Sequence, residues 1–556
     1  MKHLWTLVLL GGTASAQPFP FEKGHGPEWD AGTPIESAYL RCRNCHDRAS
    51  VPEESIYMPF DGWVSSMMGN AQRDPLFKAA VSVANQDVKD IGQWCNRCHS
   101  PQAFLRGHTL PADGGALDGL DREGVTCDIC HRSIVQPNEP GAPFIGNAQL
   151  YFDTTLNKYG PYPDVFSPAH VGVPSTFTGS SELCGQCHSV HNPVSAWRAL
   201  DGGVLGARFP LDTTYEEWKQ SSFATTKSCV DCHMPRFTGP DGGTDYRIAK
   251  GFNAPRTNPR QHALAGANVW GLEAVKAANP ELALEFADQF ERTKQLSLQN
   301  LRDAATLTLN VPSVPQSGNV AAVTVRVTNL TGHKLPTGYA DGRRVVIQLL
   351  AGDTVITGGF DAGALLKDNQ LRVYEAQHGR VGIGVSEHLA LHDAIFKDSR
   401  IPPRGMVSQP SIAPVGVNWF NENDGGLRDY DEASFAVPLP ASLADGAKLR
   451  ITARLLYQST TPEYIEFLAT ENRTDDAGVH LKEIYEATGQ GAPIEMAKAE
   501  GELTIARLPD AGPMPRPTDG GTGGSVAGNC NCASGPGAFG FALLTAAALF
   551  RARRRR

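Results

Sequence analysis

The chain is 556 residues long, 41% hydrophobic, 8% aromatic and 20% charged, with a formal net charge of −9. That is the composition of a globular protein, and its acid excess excludes nucleic acid as an expected partner.

Met1 to Ala16 reads as a secretory signal. Lys2 and His3 precede the apolar run Leu4 to Leu10, and Ala14-Ser15-Ala16 supplies the cleavage pattern. The apolar run is too short to span a bilayer, so the mature chain is expected to begin near Gln17, outside the cytoplasm.

Residues 17–265 contain ten of the twelve cysteines, and all ten fall in one pattern. The pairs are Cys42 and Cys45, Cys95 and Cys98, Cys127 and Cys130, Cys184 and Cys187, and Cys229 and Cys232. After each pair comes a histidine: His46, His99, His131, His188 and His233. C-x-x-C-H is the haem c attachment motif. Two thiols bond the vinyl groups of one haem while the adjoining histidine reaches the iron as proximal ligand. Zinc ribbons and disulfides also use cysteines at this spacing, but neither has reason to place a histidine after every second cysteine. Five covalently bound haem c groups are therefore expected, in an irregular, mainly α domain rich in Pro and Gly whose core is largely porphyrin.

A long connecting helix is expected within 266–304. Asn279 is positioned to cap it and Pro280 to occupy its first turn, while Leu282, Phe286, Phe290, Leu298 and Leu301 recur at helical spacing. From residue 305 the pattern alternates through Leu307, Leu309 and Val311, then Val323, Val325 and Val327, then Val345, Ile347 and Leu349, and again at Leu449, Ile451, Ala453 and Leu455. Residues 305–507 are accordingly expected to form an antiparallel β-sandwich-like domain. Residues 508–529, rich in Pro, Gly, Asp and Thr, read as a flexible linker.

The segment 530–556 carries Cys530 and Cys532, an apolar stretch from Ala533 to Phe550 and a terminal arginine cluster. It reads as a transmembrane helix with a cytoplasmic arginine end. It also looks like the sorting tail of myxobacterial surface proteins, which implies processing near Cys530, lipid attachment and display at the outer surface. Removing Lys2 and five terminal arginines, with no acidic residue lost, takes the formal charge from −9 to −15. The fold class expected for the whole chain is α+β and multidomain.

Several strings resemble the multihaem cytochrome c superfamily that includes pentahaem nitrite reductases and octahaem hydroxylamine oxidoreductases. They are Glu123-Gly124-Val125-Thr126-Cys127, Ser181-Glu182-Leu183-Cys184, Trp218 to Ser221 leading to Cys229 through Pro235, and Gly332-His333-Lys334-Leu335-Pro336-Thr337-Gly338. The last resembles a string of the β-domain fused behind such haem domains. Members often carry Trp-x-x-Ser-x-His, whose histidine ligates a haem from the distal side. In this chain Met68 follows Trp63 and Ser66 at that position, and Phe223 follows Trp218 and Ser221. The resemblance implies Met68 as a candidate distal ligand, whereas phenylalanine cannot bind iron.

The other distal ligands are expected among His108, His170, His191, His262 and His333, with His378, His388, His392 and His480 read as structural. No C-x-x-C-K site is present. The function expected is electron carriage at the cell envelope, in the periplasm or on the outer surface. A redox protein or a quinol-linked system would serve as donor and acceptor, and the C-terminal tail or lipid would hold the membrane. The alternative is a reductase of a small nitrogen or sulfur oxyanion at a haem with an open position.

Overall fold

Alternating burial along Val320–Asn329 turns Ala321, Val323, Val325 and Val327 inward and leaves the residues between them facing out. This is the period-2 signature of a strand with one dry face. In the computed structural model this strand lies between Tyr430–Pro438 and Ala305–Asn310, antiparallel to both. A second, five-stranded sheet runs in the order Thr354–Thr357, Arg344–Ala351, Lys448–Gln458, Ile494–Thr504, with Arg372–Tyr374 also paired to Arg344–Ala351. One hydrophobic core joins the two sheets, with Val323, Val325, Val345, Ile347, Ile451 and Leu455 fully buried in it.

The structure describes residues 34–48, 58–238, 242–251, 254–312, 319–339, 341–421 and 426–506. The expected signal segment, linker and sorting tail lie outside them. All described residues belong to one compact unit within Met1–Arg507. Among them no helix is long and apolar enough to cross a membrane.

The first half is built of short helices, several of them carrying the cysteine motifs, and of two- and three-residue strands. The expected single connecting helix is instead two, Pro280–Glu285 and Ala287–Asp303, broken at Phe286. Phe286 leaves helical geometry to bury its ring with Phe60, Phe290 and Trp63, so tertiary packing overrides the local period. The Asn279 side chain does not cap the helix Pro280–Glu285. Its amide donates to the Val275 carbonyl at 2.8 Å and closes the preceding helix, Val269–Ala278.

Two further helices, Pro462–Glu471 and Ala477–Ala487, leave the β-region and pack on the helix Pro75–Asp87. Gly478 permits their close approach, since a Cβ there would stand 2.2 Å from the Leu468 carbonyl oxygen. Through these helices the sheets and the motif-bearing half share apolar packing as well as polar contacts.

The polar join is centred on Glu217, which is fully buried immediately before the chain's second Trp-x-x-Ser string. Its carboxylate accepts from the Lys334 backbone N–H at 3.0 Å and from the Thr337 hydroxyl at 2.5 Å, and pairs with Arg400 at 3.2 Å. Arg400 in turn pairs with Asp398 at 2.7 Å, and Asp398 with the Lys334 ammonium at 2.5 Å. Burial would raise the Asp398 carboxyl, but Arg400 and Lys334 together hold it well below its ordinary value of 3.8. Because the folded value is the lower one, the resulting stability is complete above pH 3.8 and is lost as the pH falls further. Asp398→Ala, which strands two buried cations on one remaining carboxylate, should destabilise the fold by about 3–5 kcal/mol. Thermal unfolding at pH 7 would register this as a lowered Tm, and the variant's own acid unfolding should be less steep below pH 4.

Candidate functional site

In a helical turn, positions i, i+3 and i+4 share one face. A C-x-x-C-H string wound as a helix therefore presents both thiols and the imidazole to the same side. The segments Gly92–His99, Cys127–His131 and Cys229–His233 are helical through the full motif. Cys42 ends one helical turn and Arg43–His46 forms the next. Cys184 lies in the helix Ser181–Gly185, and the turn continues with the His188 N–H donating to the Cys184 carbonyl at 2.9 Å.

Local chemistry fixes these turns. Ser228 and Asp231 form a reciprocal capping box at the start of the last motif. Asp128, buried inside the third motif, pairs with Lys158 at 2.5 Å and Arg132 at 3.3 Å and accepts from the Glu36 N–H at 2.9 Å. Glu123 accepts from the Ala38 N–H at 2.8 Å and from the Ser37 hydroxyl, tying the third motif's approach to the first motif's helix. Gly124 adopts φ +68°, and a Cβ there would meet the Met68 carbonyl oxygen at 2.5 Å. The Glu123-Gly124 string is thus a structural joint between motifs.

Three of the five motif imidazoles lie opposite a second imidazole across a similar gap. Ring centroids of His46 and His170 are 6.5 Å apart at an interplanar angle of 19°. For His131 and His262 the values are 6.2 Å and 21°, and for His233 and His333 they are 6.3 Å and 22°. Two imidazoles on opposite sides of one metal, each with a metal–nitrogen bond of about 2 Å and a ring centre about 1.1 Å behind the nitrogen, have centroids about 6.2 Å apart. All three pairs meet that span, which suits axial ligation of an iron held between them and is too wide for neighbouring corners of a tetrahedron.

Ring tautomers agree with this use. Nδ1 of His46 lies 2.6 Å from the Ile248 carbonyl oxygen, that of His131 2.8 Å from Tyr159 and that of His233 2.7 Å from Ala265. A carbonyl can only accept, so Nδ1 carries the proton and Nε2 keeps its lone pair for metal. Burial lowers the pKa of His233 to about 4 and that of His262 to about 3, so both are neutral near pH 7, the form that binds metal.

His99 differs. Phe77 stacks flat against its ring, with centroids 3.7 Å apart and planes 4° from parallel. Among the described residues no imidazole stacks opposite His99 or His188. His191 is half-buried in a two-stranded pairing with Pro210, and burial lowers its pKa. His108 is held elsewhere, its Nδ1 2.7 Å from Asp121, a carboxylate that also pairs with Arg106.

Both Trp-x-x-Ser strings fold alike. The Ser66 hydroxyl donates to the Trp63 carbonyl at 2.8 Å, as Ser221 does to Trp218 at 2.8 Å. Met68 is half-buried, and its carbonyl accepts from the Val125 and Ala71 N–H groups. Phe223 packs beneath Gly332, where a Cβ would stand 3.4 Å from Phe223 Cβ. Next to Gly332 is His333, so the loop beside Phe223 is the one that brings an imidazole opposite His233.

Motifs distant in sequence lie side by side. The thiol of Cys42 is within hydrogen-bonding reach of Cys127, that of Cys98 of Cys187, and that of Cys184 of Cys229. Cys130 lies within electrostatic reach of both Cys184 and Cys187. Counting motifs along the chain, the neighbours are first and third, third and fourth, then fourth with both second and fifth. None of the ten thiols is in a disulfide.

No known protein-family model matches the chain. A solved structure similar to it is the crystal structure of a penta-heme cytochrome c552 from Thermochromatium tepidum, with a TM-score of 0.46 and 16% sequence identity over 84% of this chain and 99% of that one.

His262→Ala should convert one low-spin ferric signal of the purified protein to high spin in low-temperature electron paramagnetic resonance. His108→Ala should leave every such signal unchanged.

Proposed function

We propose that this chain binds five haem c groups and passes electrons among them as an exported protein held at the cell envelope. The observation that carries the reading is the span of 6.2 to 6.5 Å in three imidazole pairs, each containing the histidine of a C-x-x-C-H motif. The cysteines would be the attachment points, and the carbonyl bonds to Nδ1 would hold the rings of His46, His131 and His233 with Nε2 toward the metal. Bound there, haem supplies a one-electron iron couple whose potential answers to axial ligands, burial and nearby hydrogen bonds.

The chain's own contribution is geometry. The neighbouring motifs form a row, first, third, fourth, with the second and fifth as branches, so the fourth is the crossing point. At the three paired motifs a second imidazole would hold the haem opposite His46, His131 or His233 and leave no site for a small molecule there, which favours a carrier. The acidic surface left after processing favours basic or soluble redox partners, or a quinol-linked system, as donor and acceptor. Export is supported by the signal pattern at Met1 to Ala16, and attachment by the tail from Cys530 through lipid or a membrane helix.

A second reading rests on a specific observation. His99 is packed by Phe77, and a haem attached at Cys95 and Cys98 would lack an imidazole from the described residues on its far side. Such an open position would suit reduction of a small nitrogen or sulfur oxyanion.

Mass analysis of the exported protein should give five haems per chain, and reductive titration five electrons. Ferric spectra should be dominated by low-spin signals, and nitrite or cyanide should leave them in place. A high-spin population that shifts with nitrite would establish the second reading, and fewer than five haems would overturn the first.

A further inference from the structure

Outside the cysteine motifs, the second half of the chain encloses Asp341, His378 and His392, which are 4%, 3% and 1% exposed. One ligand atom from each lies within 4.8 Å of the others. His378 Nδ1 is 3.2 Å from Asp341 Oδ2, and His392 Nδ1 is 3.9 Å from the same oxygen. The two rings sit 5.7 Å apart at 74°, both against the face or edge of Phe209.

The hydrogen bonds around His392 decide what this cluster is for. Its Nε2 lies 2.7 Å from the Ser386 carbonyl oxygen, which can only accept. The ring proton is therefore on Nε2, and Nδ1 presents a lone pair. That lone pair has no hydrogen-bond partner, although the atom is shielded from water. It faces the Asp341 carboxylate, so two electron-rich atoms look at each other across 3.9 Å in a dry site. A proton cannot bridge them well, because 3.9 Å is too long for a hydrogen bond. Glu387 adds a second carboxylate within electrostatic reach of Asp341, and its Oε2 is likewise buried with no partner.

We propose that Asp341, His378 and His392 form a binding site for a divalent first-row transition metal ion, with zinc the best fit, separate from the haem irons. Two imidazole nitrogens and one carboxylate oxygen are a donor set for this class of ion. An ion at the centre would replace the His378 Nδ1···Asp341 hydrogen bond, with the His378 proton held on Nε2 and both Nδ1 lone pairs turned to the ion, and would meet the negative charge of Asp341, which forms no ion pair with a lysine or arginine among the described residues. Closing the 3.9 Å separation to the ~3.3 Å expected between ligands of one tetrahedral ion needs only a small shift. The ion would be structural. The Asn192 amide donates to the Ala390 and His392 carbonyls at 3.0 and 3.2 Å, so the site anchors the His392 loop to the chain next to His191.

The test uses the full haem-loaded protein, stripped with EDTA, incubated with zinc sulfate and passed through gel filtration. Elemental analysis should find about one zinc per chain beside the haem iron. Asp341→Asn and His392→Ala should each reduce that zinc at least tenfold while retaining haem count and visible spectrum, and His480→Ala, at an exposed histidine, should retain it. EDTA should lower the Tm of the unsubstituted protein and leave that of Asp341→Asn unchanged. Absence of zinc from the unsubstituted protein overturns the proposal, as does equal zinc in Asp341→Asn. If His392→Ala fails to accumulate, Asp341→Asn and the EDTA shift still decide the matter.

Discussion

Two imidazoles that are to share one metal ion must stand at a fixed span, and this chain sets three pairs of histidines at nearly the same span although their members lie far apart in sequence. His46 is matched by His170, His131 by His262 and His233 by His333. Much of the surrounding structure is the means of holding the second member of each pair. For His333 the means is Glu217. By accepting from the Lys334 N–H and the Thr337 hydroxyl, it presses the loop after Asn329 onto the helix Thr214–Lys219. Asn329 adds a bond from its amide to the His333 carbonyl at 2.8 Å. The imidazole's position therefore depends on a carboxylate buried more than a hundred residues earlier.

That dependence explains why the β-region and the motif-bearing half are interlocked. Lys334, Asp398 and Arg400 come from the second half and converge on Glu217 from the first. Two carboxylates and two cations cancel in charge, and a hydroxyl and a backbone amide use the remaining acceptor capacity, so the burial cost is offset. Removing the loop from the helix would uncover this set of charges. The network ties the loop's placement to the folding of both halves, while the helices Pro462–Glu471 and Ala477–Ala487 make the apolar equivalent against Pro75–Asp87.

The parts of the site that were legible in sequence are those whose chemistry is local. The thiols and the imidazole of a C-x-x-C-H string share one helical turn, so spacing alone announces them. The strand faces at Val323, Val325, Val327, Val345 and Ile347 were equally local, being set by alternation. The second imidazole of each pair is not local. His170, His262 and His333 stand in irregular loops, and nothing in their neighbouring residues separates them from His108, whose partner Asp121 lies 13 positions on. The break at Phe286 was hidden for a related reason, because the aromatic cluster that draws the ring out of helical register comes from residues 58–64 and 290.

His378 and His392 show the same limit from the other direction. Read singly, each is a histidine in a β-rich region with no motif around it, and a structural role is the natural expectation. What distinguishes His392 is its tautomer, set when the Ser386 carbonyl accepts a hydrogen bond from Nε2–H and leaves the Nδ1 lone pair toward Asp341. A hydrogen bond six residues away in sequence decides whether the ring offers a proton or a lone pair. His46, His131 and His233 obey the same rule, since Ile248, Tyr159 and Ala265 each occupy an Nδ1 and leave Nε2 open. In this protein a carbonyl oxygen on one side of an imidazole selects the nitrogen that keeps its lone pair, and those carbonyls are supplied by the fold.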